Sequence, residues 1–154
     1  RSEMIIQTQS DVKSGNPVTD IVIGEYKDKC IKTGIDFTYD FHYPEKGVVD
    51  AFDMSIVLFN ALQNACEAAQ KTPHGYVSLK AFRKKNAYII EITNSCAGRI
   101  TVEPGKLPAT DKDNAQAHGY GLKNIKRIAE KYYGGINIEP ADDTFKLNIM
   151  MMLE

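Results

Sequence analysis

The chain has no tryptophan, only three cysteines in 154 residues, and no surplus of charge of either sign. Each lack excludes something. Cys30, Cys66 and Cys96 are odd in number and far apart in sequence, which fits neither a disulfide framework nor a zinc site; a reducing cytosol is the simplest setting. Nineteen basic residues against twenty acidic ones leave a net charge of −1, so no basic field is present to neutralise a phosphate backbone. That argues against nucleic acid as a partner. No apolar run approaches the ~20 residues of a membrane-spanning helix. The opening Arg1-Ser2-Glu3-Met4 has no long apolar run behind it, so no signal peptide is expected. The start at Arg is read as that of a fragment of a longer protein. What remains is the composition of an ordinary soluble domain, 43% hydrophobic and 25% charged, at a length that fits one domain.

Local pattern divides the chain. Ser14-Gly15-Asn16-Pro17 is a strong break. Residues 1–14 are expected to be the end of a preceding element, and residues 15–154 the domain. Val18, Ile21, Val22, Tyr26 and Ile31 recur at helical spacing, which predicts a helix over 18–33 closed by Gly34. Residues 35–41 alternate strictly and predict a half-buried strand. Asp53 is a good N-cap for a long helix over 54–71. Strands are expected at 76–82 and 87–93 around Arg83-Lys84-Lys85-Asn86. Residues 95–118 hold two prolines, two glycines and no apolar period; an irregular segment of that length in a compact domain is usually functional or disordered. A helix over 121–133 follows, stopped by Gly134-Gly135. A hairpin of 136–139 and 145–153 closes the chain, with Met150-Met151-Met152 expected to face the core. This order of elements predicts a two-layer α/β sandwich, a mixed sheet with helices on one face.

Three segments carry chemistry. In Phe59-Asn60-Ala61-Leu62-Gln63-Asn64-Ala65-Cys66-Glu67-Ala68, helical spacing stacks Asn60, Asn64 and Glu67 on one side, with Gln63 beside them. Asparagine is a poor helix former because its amide competes for the backbone. Two readings stand for a pair of them in mid-helix. One is a polar cap over a loop. The other is a set of short amide ligands around a hydrated Mg²⁺ and its phosphates, since Mg²⁺ takes few protein ligands. In Ala117-His118-Gly119-Tyr120-Gly121-Leu122-Lys123-Asn124-Ile125, two glycines are expected to end a loop and open a helix. The exposed N–H groups there would attract phosphate, helped by Lys123 in the first turn. Plain turn glycines would look the same. In Ile92-Thr93-Asn94-Ser95-Cys96-Ala97-Gly98, a strand runs into the long loop, and Asn94 at its end could point into a pocket beside the sheet.

Taken in order, these segments resemble the GHKL ATPase superfamily, which spans gyrase, heat-shock chaperones, histidine kinases and mismatch-repair ATPases. The match is nearest to sensor histidine kinases of the Gram-positive, peptide-sensing type. Residues 58–68 resemble their N box and residues 118–125 their G2 box. Ser14-Gly15-Asn16-Pro17-Val18 resembles the junction that follows the dimerisation helices. The resemblance implies a Bergerat fold binding Mg²⁺ and ATP. It makes Asn64 the Mg²⁺ ligand and Asn60 a phosphate support one turn away. Glu67, Lys71, His118, Tyr120 and Lys123 fall near the nucleotide. Gly119, Gly121 and Leu122 would offer backbone contacts to the phosphates, and residues 95–118 would be the ATP lid. His118 stands between phosphate contact and lid structure.

Two positions depart from the family pattern. ATP-hydrolysing relatives carry a glutamate where Asn60 stands, so this site points to holding ATP for transfer. The G1 box, usually Asp-x-Gly-x-Gly, reads Asn94-Ser95-Cys96-Ala97-Gly98; Asn94 can accept from the adenine amino group and donate to a ring nitrogen. The acceptor histidine would lie on a dimerisation domain outside this chain, because His42 and His74 read as surface residues. The resemblance further implies a homodimer in the full-length protein and a response regulator downstream. The chain would be the cytoplasmic domain of a membrane-bound bacterial sensor, without direct membrane contact of its own. Two other functions fit the same fold: an anti-sigma-factor type of serine kinase, and a nucleotide-responsive interaction module without transfer activity.

Overall fold

Tyr88, Ile90, Ile92 and Asn94 are buried at alternate positions of one strand, and that strand is the middle of the molecule. A computed structural model describes residues 12–45, 48–98 and 115–153, apart from the side chains of 115–120 and Pro140. Its elements are α1 (Pro17–Thr33), β1 (Asp36–Phe41), α2 (Ala51–Gln70), β2 (Tyr76–Lys84), β3 (Ala87–Ser95), α3 (Ala115–Lys131), β4 (Gly135–Ala141) and β5 (Thr144–Met152). The five strands form one sheet in the order β1-β2-β3-β5-β4. β1 runs parallel to β2, and every other pair is antiparallel. The predicted two-layer sandwich is the observed one.

The helices cover one face. Val77, Leu79, Ile90, Leu147, Ile149 and Met151 of the sheet form one apolar cluster with Ile23 and Tyr26 of α1, Met54, Leu58 and Leu62 of α2, and Ile125 of α3. The other face carries charge, with Lys146 3.8 Å from Glu91 and 4.0 Å from Glu139, and the apolar Phe82, Ile89 and Met150 in register beside it. Val12 and Ser14 are also buried. Among the described residues no helix is long and apolar enough to cross a membrane.

Several boundaries differ from expectation, each for a local reason. Asp50, not Asp53, caps α2, its carboxylate accepting from Phe52 and Asp53 N–H; Asp53 is engaged elsewhere. In α1 the expected apolar set is divided: Val18, Ile21 and Ile31 are exposed by 39%, 56% and 66%, while Tyr26 is buried and Val22 packs against the core. The buried positions are Thr19, Ile23, Tyr26 and Cys30. The helix start is fixed where Asn16 caps Val18 N–H and the Ser14 hydroxyl meets Thr19 and Asp20. Arg83 and Lys84 continue β2, leaving Lys85-Asn86 as the tip, with Lys85 at φ +56°. Arg83 gains a cross-strand partner in Tyr88 and an ion pair with Glu45 at 2.9 Å. β4 takes in Pro140, which an edge strand tolerates because the missing N–H faces away from the ladder. Strand alternation leaves only Met151 of the methionine triplet fully inside, while Met150 is 41% exposed.

α3 begins at Ala115, six residues before the expected start at Gly121. Of the segment expected to be the lid, residues 95–118, Ser95 is in β3 and residues 115–118 are helical. Residues 99–114 lie outside the described residues. The helix ends through Tyr133 at φ +60°. Gly134 is required by space, since a Cβ there would sit 1.8 Å from the Met150 carbonyl oxygen.

Candidate functional site

The core face of α2 is Leu58, Ala61, Leu62 and Ala65, none more than 2% exposed. That choice of face leaves Asn60 and Asn64 half-buried at its rim. Asn60 satisfies its own amide by donating Nδ2 to the Ile56 carbonyl at 2.8 Å, the i−4 bond that helical asparagine favours. Its Oδ1 faces α3. A Cβ on Gly121 would lie 3.4 Å from Asn60 Oδ1, 3.2 Å from Asn64 Nδ2 and 3.6 Å from Asn64 Oδ1. The two polar segments thus meet in three dimensions, and the absent side chain of Gly121 is what leaves room for the amides. Next to it, Leu122, Ile125 and Ile128 are 4% exposed or less and hold α3 against the core, while Lys123 stays exposed.

The far ends of the same two helices are clamped. Asp53 in the first turn of α2 accepts from Lys131 Nζ at 2.9 Å and Tyr132 Oη at 2.6 Å, and Asp50 N–H donates to Tyr132 Oη at 3.0 Å. Burial would raise the Asp53 carboxyl, but these bonds hold it below the ordinary value of 3.8. Sequence reasoning missed this clamp. Its traces are an acid in the first turn of α2 and a base followed by an aromatic at the end of α3.

The remaining candidates are distributed around this cradle. Glu67 accepts from Gln63 Nε2 at 2.8 Å, and Gln63 Oε1 accepts from Tyr26 Oη at 2.8 Å, which links the asparagine helix to α1. Burial raises the Tyr26 hydroxyl well above its usual value, so it remains a donor. Lys71 is exposed at the C-cap of α2. Asn94 is 3% exposed, on the helix-facing side of β3, with its Nδ2 donating to the Ser95 carbonyl at 2.8 Å. The strand end is held by residues the sequence did not single out. Ser95 Oγ accepts from Tyr76 N–H at 3.0 Å and lies 2.9 Å from Thr72 Oγ1. Asp143 N–H donates to the Gly98 carbonyl at 3.0 Å, and the Asp143 carboxylate accepts from Gly98 N–H at 3.2 Å. The turn takes its left-handed residue at Gly98, φ +75°, so Cys96 needs no glycine.

His118, Gly119 and Tyr120 have helical backbones, and their side chains lie outside the described residues. With α3 starting at Ala115, Gly119 and Gly121 sit inside the helix. The unbonded N–H groups of a helix start belong to its first four residues, so the expected helix opening at Gly121 is corrected. His42 and His74 are exposed, His42 beside Asp40 at 3.1 Å.

Among the described residues no cluster of three or more His, Cys, Asp or Glu could hold a metal ion. The cradle offers amide oxygens instead. These are hard donors that suit Mg²⁺ when it keeps waters and phosphate oxygens as its other ligands, and the space that a Cβ at Gly121 would fill is consistent with that use.

A family model described as a GHKL domain matches residues 49–152. No curated protein matches the chain. Among solved structures it is similar to the catalytic domain of histidine kinase ThkA in a nucleotide-free form, at 20% identity and TM-score 0.66, covering 91% of this chain and 94% of that one. It is similar to the mycobacterial sensor histidine kinase MprB at 18% identity and TM-score 0.66, over 88% and 93% of the two chains. It also matches ThkA in complex with the response regulator protein TrrA, at 18% identity and TM-score 0.67, over 92% of this chain and 41% of that one. At such identities the likeness speaks for the fold. The family match covers more than half of the sequence and runs through Asn60, Asn64, Asn94 and Gly121, so the chain belongs to the GHKL domain family.

Proposed function

We propose that this chain is the ATP-binding catalytic domain of a two-component sensor histidine kinase of the Gram-positive, peptide-sensing type. It would bind Mg²⁺ and ATP and donate the γ-phosphate to a histidine on a separate dimerisation domain. The observation that supports the reading is that Asn60 and Asn64 lie where a Cβ on Gly121 would meet them, which brings the segments that resemble the N box and the G2 box together within the stretch that matches a GHKL domain. Asn64 would ligate Mg²⁺ through its amide oxygen, and Asn60 would support the phosphates. Lys71 and Lys123 would supply phosphate charge, with His118, Tyr120, Glu67 and the backbone of Gly119, Gly121 and Leu122 nearby. Asn94 would meet the adenine. Bound Mg²⁺ would neutralise phosphate charge, and positioning does most of the rest in phosphoryl transfer.

Asn60 stands where a hydrolase needs a base. Its amide cannot take a proton from water, and its Nδ2 is already given to Ile56. The site is therefore suited to keeping ATP intact until an acceptor arrives. Residues 1–14 would lead back to the dimerisation domain, and the full-length protein would be a homodimer and a membrane-bound bacterial sensor with this domain in the cytoplasm. A response regulator downstream is supported by the likeness to the ThkA–TrrA complex.

The test is transfer in trans. This chain, a histidine-bearing dimerisation domain and γ-labelled ATP should yield an acid-labile, base-stable phosphohistidine. Binding of ATP with no transfer would favour an interaction module, and label on serine would favour a serine kinase.

A further inference from the structure

Two of the three cysteines are not apart. Cys30 of α1 and Cys66 of α2 are 36 positions distant in sequence, yet their sulfurs lie 3.3 Å apart. Both are buried, at 0% and 5% exposure, and both are free thiols. Cys96 is elsewhere, with its thiol turned to the Gly98 carbonyl at 3.6 Å. Helix packing brings the pair together, because Cys30 follows Ile23 and Tyr26 on the buried face of α1, and Cys66 follows Leu62 on that of α2.

We infer that Cys30 and Cys66 are a peroxide-sensitive modification site that closes to a reversible disulfide between α1 and α2. A disulfide needs its sulfurs at about 2.05 Å, so closure asks for an approach of about 1.2 Å from the present 3.3 Å. Either thiol can donate to the other across this contact, so a thiolate formed on one sulfur is held by the S–H of its neighbour. In the first step the thiolate of one cysteine takes one oxygen from hydrogen peroxide, giving a sulfenic acid and hydroxide, which takes up the proton that cysteine had released to form water. In the second, the sulfur of the other cysteine attacks the sulfenic sulfur, the S–S bond forms, and the hydroxyl leaves with the attacking thiol's proton as a second water. Two thiols lose two electrons and one peroxide gains them. Peroxide is small enough to reach a buried pair where the structure opens locally. Cys30 lies near the C-terminal end of α1, which finishes at Thr33.

The inference is independent of the nucleotide reading and is tested on the reduced protein. A few equivalents of hydrogen peroxide should remove two hydrogens from the intact mass, lower the free thiols from three to one, and yield a proteolytic fragment joining Cys30 to Cys66. The oxidised form should melt about 5–10 °C higher, because the bond closes a long loop, and dithiothreitol should reverse every change. Cys96→Ser should behave as wild type, while Cys30→Ala and Cys66→Ala should each fail to cross-link. Three thiols remaining, oxygen added without a cross-link, or a disulfide through Cys96 or between molecules would overturn the inference. The wild-type measurements decide it even if a variant does not fold.

Discussion

Gly121 gains its importance from the atom it lacks. Alanine is better than glycine in a helix by about 1 kcal/mol, so Gly121→Ala favours α3 as a helix. Against that, the new Cβ would stand 3.2 Å from Asn64 Nδ2 and push the amide away by a few tenths of an ångström. The expected outcome is folding stability within about 1 kcal/mol of wild type, with ATP affinity reduced several-fold. Denaturant unfolding and calorimetric titration of the same variant would show whether the two separate. Unchanged affinity would mean that the Asn64 amide is not poised for ligand. At this scale the sequence was legible where a residue contradicted its setting: two stacked asparagines in mid-helix stood out because they weaken a helix. It was not legible where partners are distant in sequence, as with Cys30 and Cys66, or Asp53 with Tyr132.

Helix ends show the same division between local and distant causes. Gly34 acts through its left-handed backbone and Asn16 through its side chain on the nearby Val18 N–H, and both ends of α1 fall within a residue of expectation. The packed side of α1 was only partly legible from its apolar residues: Tyr26 is buried, but the side also relies on Thr19 and Cys30, while Val18, Ile21 and Ile31 remain outside. At the start of α2 two aspartates competed for one role, and the clamp from α3 decided between them by drawing Asp53 away. That clamp has a pH signature. The folded Asp53 carboxyl titrates below its ordinary 3.8, so its contribution is full above the unfolded value and is lost as pH falls through the folded one. Asp53→Asn should cost about 1–2 kcal/mol at neutral pH, with a small share from Lys131, which is largely solvated. The gap to wild type should hold at neutral pH and narrow as pH falls below 3.8 and through the lower folded value. Denaturant melts across that range would show it, and a constant gap would remove Asp53 ionisation from the clamp.

For the whole molecule, the order of helices and strands led to the correct layer architecture, since each element could be read from its own period. The strand order β1-β2-β3-β5-β4 could not be read this way, because it depends on pairings such as Asn94 with Phe145 that join distant segments. The sheet, the single helical layer and the clamp together present Asn60, Asn64 and Gly121 at one place, and the proposed use of that place is Mg²⁺-dependent ATP binding. The most direct measurement is a calorimetric titration of ATP with and without Mg²⁺, on this protein and on Asn64→Ala. Binding by wild type that depends on Mg²⁺ and is lost in Asn64→Ala is the predicted result. No binding by wild type, or binding by both proteins that is indifferent to Mg²⁺, would contradict it.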